Sequence, residues 1–400
     1  MENWKKKTIL FLASQAITLF GSSLVQFAIV WYITLQTSSG VWVSALTICS
    51  FVPQFIVSFF SGVWADRYSK KMLIILSDTM IMLSTLTLAI IIPHIGKDTT
   101  VFIALLVTSV IRSIGAGIQT PAVSSMIPLL VPQKNLMKFN GINATVQSVI
   151  QFSAPAAAAA ILSFKTLTST LLIDVATGVV GIGILSLIAI PKQIFDKDAL
   201  VVSVFSEMKS GMKYAFSHKF IYKILIIFGL FIFLSVPAGF LAALFVSRNY
   251  GDSYVYLSIV EIVGFAGMAG GGLLIGIWGG FKKRSLTLFT GLLSFTLLTI
   301  AMGVIDSFIV YLLLMAIYGI ALTMVQTSIT TIIQENTEES MQGKIFGFLN
   351  AMYSGCLPIG MAVFGPLSDV VSLRLLMIIT GSLMAIIAFF VNYDKSIKSN

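Results

Sequence analysis

Twelve apolar stretches, each about 20 residues or longer, constrain this chain more than any other feature of its sequence. A helix rises 1.5 Å per residue, so about 20 residues cross the ~30 Å hydrocarbon core of a bilayer. The stretches fall at roughly 8–36, 40–62, 72–93, 101–127, 140–163 and 168–190, then at 221–246, 254–279, 285–305, 308–333, 345–366 and 373–392. Hydrophobic residues make up 57% of the 400 and charged residues only 10%, whereas soluble domains carry about 25% charged residues. A single soluble core cannot bury that much apolar surface, because cores stop growing at about this chain length. The sequence therefore predicts an all-α membrane protein.

The net charge of +9 does not point to nucleic acid, because the cations are sorted by side of the membrane. With loops assigned alternately, 20 of the 25 Lys and Arg lie on the side of the N-terminus. Lys97, Lys165, Arg248 and Arg374 lie on the other, and Arg112 falls inside a span. Cytoplasmic loops attract Lys and Arg, so both termini are expected to be cytoplasmic. Lys5, Lys6 and Lys7 precede an apolar run that continues past residue 30 without a small-residue cleavage site, which reads as a retained first span. Cys49 and Cys356 lie in separate apolar spans and suggest packing rather than a disulfide.

The longest polar interval separates six spans from six, giving expected bundles at 1–190 and 221–400 and a cytoplasmic linker at 191–220. Within the linker, Val204, Met208, Gly211, Met212 and Phe216 recur at helical spacing, as in an amphipathic helix lying on the membrane. The halves share a weak repeat. Gly62-Val63-Trp64 leads into the basic turn Arg67 to Lys71, and Gly276-Ile277-Trp278 leads into Lys282-Lys283-Arg284. Duplicated six-helix, pseudo-symmetric bundles are a transporter architecture that binds substrate near the membrane midplane.

The run Gly62 to Lys71 resembles the loop signature of the major facilitator superfamily, with Ser69 in place of its second glycine. Arg112-Ser113-Ile114-Gly115-Ala116-Gly117 is similar to the Arg-then-Gly signature of that superfamily's fourth helix, and Ser153-Ala154-Pro155-Ala156 to its antiporter motif with alanines for glycines. Ser258 to Ile262, Gly267 to Leu274, Ile190-Pro191-Lys192 and Pro358-Ile359-Gly360 resemble bacterial macrolide-efflux transporters. The resemblance implies proton-driven export of an amphipathic drug across the bacterial cytoplasmic membrane. It implies a monomer that uses the proton motive force without a cofactor. Related proteins export siderophores or tetracyclines, and a scaffold that retains the fold without transporting is the competing class.

Each ionisable side chain in hydrocarbon costs about 2.5–3.5 kcal/mol on insertion scales and needs a reason to be there. Glu261, in the eighth span, is a candidate for proton coupling or for a structural hydrogen bond. Asp78, in the third, is placed to pair with Arg67 or Arg112. Asp174 stands at a headgroup, helix-capping or coupling position in the sixth. Arg112 cannot deprotonate, and its fixed charge could act as a gate on a carboxylate or as a tie to Asp78. The resemblance makes Gly62, Asp66, Arg67, Lys70 and Lys71 a latch between helix ends. Polar stripes mark a substrate path: Gln15, Thr18, Ser22 and Gln26 on the first span, Asn143, Gln147 and Gln151 on the fifth, and Asn350 with Ser354 on the eleventh. Interhelical hydrogen bonding explains such stripes equally well. Trp31, Tyr32, Phe228, Phe231 and Phe233 are candidates for a greasy wall.

Catalysis finds little support in the residues. Gly343-Lys344 lacks the glycine spacing of a phosphate-binding loop. His94 and His218, with two dispersed cysteines, form no metal-ligand pattern.

Overall fold

The computed structural model describes residues 3–188, 213–214 and 216–394. Its first six long helices are α1 (Asn3–Thr37), α2 (Gly40–Arg67), α3 (Lys70–Ile91), α4 (Asp98–Leu130), α5 (Leu136–Phe164) and α6 (Leu167–Ser186). There follow α7 (Lys219–Gly239), α8 (Ala242–Asn249), α9 (Tyr254–Trp278), α10 (Arg284–Val304), α11 (Phe308–Asn336), α12 (Glu339–Val370) and α13 (Leu373–Tyr393). Among the described residues, twelve stretches are long and apolar enough to cross a membrane, and each coincides with an expected span. Val204, Met208, Gly211 and Met212 of the expected amphipathic helix lie outside the described residues.

The chain divides into two compact units: Met1–Ile33 with Ala45–Val201, and Thr34–Ser44 with Val202–Asn400. In the first, α3 packs against α4 and α6; in the second, α10 packs against α11 and α13. The third span of each six thus has the same neighbours, as an internal repeat requires.

Helix packing in lipid depends on small residues that let backbones approach, and the second unit concentrates them on α9. A methyl group added at Gly267 would lie 2.1 Å from the Ala316 carbonyl oxygen, and one at Gly271 2.9 Å from the Ile320 Cα. From α11, one at Gly319 would lie 2.5 Å from the Gly264 carbonyl oxygen. Thr323 Oγ1 donates to the Met268 carbonyl at 3.1 Å along the same seam. Gly270, Gly272 and Gly276 face open space, so only one stripe of the glycine-rich run makes the contact.

Two local features differ from the sequence-based expectation. The seventh span is broken rather than continuous. Pro237 has no N–H to return to the Phe233 carbonyl. The Phe240 and Leu241 N–H groups then both turn back on the Val236 carbonyl, at 3.0 and 3.1 Å, and α8 restarts at Ala242. The Gly-x-Trp repeat also ends differently in its two copies. After Trp278 the chain turns through Gly279 and Gly280 at φ 76° and 78°, a left-handed conformation suited to glycine. After α2 it turns through Tyr68 and Ser69, where the Ser69 hydroxyl accepts from the Met72 N–H at 3.4 Å and caps α3.

Candidate functional site

The signature run on α4 explains itself one residue at a time. Ser113 Oγ donates to the Ser50 carbonyl at 2.7 Å and accepts from the Gln54 N–H at 2.8 Å. It thereby bridges the ladder of α2 immediately after Pro53. A methyl group at Gly117 would lie 2.9 Å from the Gln54 carbonyl oxygen, and one at Gly115 2.6 Å from Ile81 Cγ1. Those two glycines seat α4 against α2 and α3, which fixes the azimuth of Arg112.

Arg112 is buried at 7% exposure and Asp174 at 3%. Arg112 Nη1 donates to Asp174 Oδ2 in a short, charge-assisted bond. It also reaches Thr85 Oγ1 on α3 at 2.5 Å, and Thr85 Oγ1 lies 3.0 Å from the same carboxylate oxygen. Arg112 Nη2 donates to the Ser22 carbonyl on α1 at 3.2 Å, while Ser22 Oγ donates to Asp174 Oδ1 at 3.5 Å. Four helices of the first unit therefore meet at one ion pair. α1 can come this close to α6 because Gly21 faces it: a methyl there would lie 1.9 Å from Thr177 Oγ1.

This geometry corrects two expectations. Asp174 is buried among protein side chains about two turns into α6 and does not cap that helix. Arg112 pairs with Asp174 and not with Asp78. Asp78 instead accepts from Gln119 Nε2 of α4 at 2.6 Å, and its second oxygen, Oδ2, is buried without a hydrogen-bond partner. Asp78 and Thr85 are seven residues apart on α3, so both face the interior on one stripe. In the second unit Glu261 is half-buried on α9. One turn later Gly264 meets Met315, which places Glu261 level with Tyr311 of α11. The Tyr311 and Tyr318 hydroxyls are buried without partners.

The remaining candidates scatter. Gln26 Nε2 donates to Ser50 Oγ at 3.4 Å, Thr18 bonds carbonyls of its own helix, and Gln15 Nε2 is buried without a partner. Trp31 is fully buried beside Phe27, and Phe228 and Phe231 are core residues, so these three line no open wall. Gln147, Gln151 and Asn350 are exposed. Gln147 and Asn143 line a cleft of ≈ 410 Å³ between α4 and α5, with Ser124, Pro128 and Asn140. Of the expected latch, Gly62, Asp66 and Arg67 fall in the last turns of α2, and their side chains lie outside the described residues. Lys70 begins α3. Lys71 Nζ donates to the Ser186 and Ile188 carbonyls, both at 2.8 Å, and so caps the end of α6.

Sequence reasoning missed Thr85 and Gln119, and met Ser113 only as part of its motif, because a hydroxyl or amide in a span is common. Thr85 carried one usable signal, its place on the helical stripe of Asp78.

A family model described as the Major Facilitator Superfamily matches residues 11–361. Macrolide efflux protein A of Streptococcus pyogenes is 28% identical over 388 residues, covering 96% of this chain and 95% of that protein. A protein of the same name from Enterococcus faecalis is 27% identical over 321 residues, covering 80% of this chain and 98% of that one. A solved bacterial homologue of the iron transporter ferroportin, in an inward-facing state, gives a TM-score of 0.72 at 16% identity, over 97% of this chain and 99% of that one. A D-xylose-proton symporter gives 0.71 at 15%, over 98% and 99%. At such identities the solved structures bear on the fold alone.

Proposed function

Because this chain belongs to the major facilitator superfamily, we propose that it is a secondary active transporter exporting an amphipathic drug of the macrolide type by proton antiport. The observation that carries the coupling is the buried Arg112–Asp174 pair with Thr85 and Ser22 around it. Breaking such a pair is costly while both members stay charged. A proton arriving on Asp174 cancels the charge that holds Arg112, whose guanidinium keeps the Thr85 hydroxyl and the Ser22 carbonyl as partners, and the tie between α4 and α6 loosens. Release of the proton restores the pair. Asp78, with one oxygen free of donors, is a second stop for a proton in the same unit, and Glu261 is the acid of the second unit.

The substrate class rests on the curated relatives and their coverage of both chains. The cleft at Asn143 and Gln147 supplies hydrogen-bonding amides beside apolar Ile127 and Leu136, which suits an amphipathic molecule. The charge asymmetry of the loops orients both termini to the cytoplasm of a bacterial cell. The protein acts as a monomer and draws on the proton motive force.

Expression in a pump-deficient bacterium tests this directly. Macrolide accumulation should fall relative to an empty vector, and a protonophore should restore it. Unchanged accumulation of every drug class tried would sink the export reading.

A further inference from the structure

Asp369 is the penultimate residue of α12, where the carbonyl end of a helix disfavours a negative charge. Its carboxylate is satisfied by another helix. Oδ1 accepts from the Gly40 N–H at 2.7 Å, and Oδ2 accepts from the Val41 N–H at 3.0 Å and from Ser39 Oγ at 2.7 Å. Asp369 thus caps the first turn of α2 from a distance of more than 300 residues in sequence.

Arg248, near the end of α8, completes the arrangement. It donates to Asp369 Oδ1 at 2.6 Å, to the Ser368 carbonyl at 2.6 Å and through Nε to the Ser38 carbonyl at 3.0 Å. Ser38 itself has a positive φ of 45°, a conformation uncommon outside glycine. Beneath the charges the backbones touch. A methyl at Gly40 would lie 2.2 Å from the Gly365 carbonyl oxygen, and one at Gly365 1.6 Å from Ser44 Oγ. Residues 34–44 are accordingly part of the second unit, although α1 and α2 on either side run on into the first.

We propose that Asp369 and Arg248 form a releasable clasp on the start of α2, at the end of the molecule the loop charges make external, and that opening it is a step of the transport cycle. A carboxylate placed at the unfavourable end of its own helix and at the favourable end of another gains from the second helix only while the two are docked. The charge-dipole contact is also solvated on one side, with both side chains about a quarter exposed, so water can replace it when it parts. Asp369 is a positioning residue in this scheme and need not touch substrate. The clasp rests on the transporter reading for its place in a cycle, not for its existence.

The test needs no substrate. In a Cys49→Ser, Cys356→Ser background in intact cells, Ser44→Cys reports the buried seam and Lys97→Cys an exposed loop, both read with a membrane-impermeant maleimide. Asp369→Ala should raise labelling at 44 about fivefold or more, the size expected for loss of a helix cap. Asp369→Asn, which keeps one acceptor, should raise it less, and position 97 should not change. Exchanging the charges, Asp369→Arg with Arg248→Asp, restores an ion pair but not the cap, and should label like Asp369→Ala. Ser368→Cys repeats the readout should Ser44→Cys label fully on its own. Equal labelling of parent and Asp369→Ala at both seam positions would overturn the clasp, as would a parallel rise at 97. Loss of drug export with the labelling pattern intact would remove the proposed substrate and leave the clasp standing.

Discussion

Arg112 and Asp174, 62 residues apart on α4 and α6, form an ion pair with less than a tenth of either residue exposed. Removing one partner leaves the other charge buried, at a cost of about 3–5 kcal/mol. Asp174→Ala and Arg112→Ala should each lower the melting temperature in detergent markedly, and Arg112→Met with Asp174→Leu should recover much of that loss. All three should abolish coupled transport. A double variant that regains both stability and drug efflux would show the pair to be structural only. Arg112→Lys should fail as well, because a single ammonium nitrogen cannot stand both where Nη1 meets Thr85 and Asp174 and where Nη2 meets the Ser22 carbonyl.

The seam between α9 and α11 separates glycines that matter from glycines that do not. Gly267→Ala pushes a methyl into a carbonyl oxygen and should cost on the order of 1–3 kcal/mol through overpacking. Gly270→Ala and Gly276→Ala meet nothing within 4 Å and should be neutral or slightly stabilising. Thermal unfolding of the three purified variants checks the contrast.

Lys71 has a structural task that Lys70 does not share. Lys71→Ala strips two carbonyls at the end of α6 of their donor and should destabilise by about 0.5–1.5 kcal/mol. Lys70→Ala should leave the melting temperature within experimental error. If instead both lower export equally without any change in stability, the pair acts as the latch that its motif implies.

Trp31 and Gln147 should part company in the opposite sense. Trp31→Ala empties a fully buried site and should cost about 3–5 kcal/mol, seen as lost expression or melting. Gln147→Ala lies at an exposed cleft and should leave stability intact while altering which drugs are exported. Susceptibility profiling alongside thermal unfolding distinguishes the two.

The spans were legible because hydropathy and length act locally: about 20 apolar residues determine a crossing whatever their neighbours. The partner of Arg112 was not legible, because helical register brings Asp78 within reach on paper. The depth of Asp174 depends on how Gly21 and Gly181 draw α1 onto α6. The break at Phe240 was masked because Pro237 and Gly239 sit inside a long apolar run that is long enough overall to read as one span. Asp369 escaped notice because an acid near a span end is unremarkable by composition, and only the fold reveals that it serves α2.

The glycine contacts of α9 with α11 leave no gap into which an acyl chain could wedge. The two helices therefore behave as one strut, and Glu261 and Tyr311 ride on it together. The interruption between α7 and α8 is of the opposite kind, for there the backbone ladder is already parted and Arg248 stands at the far end of the short arm.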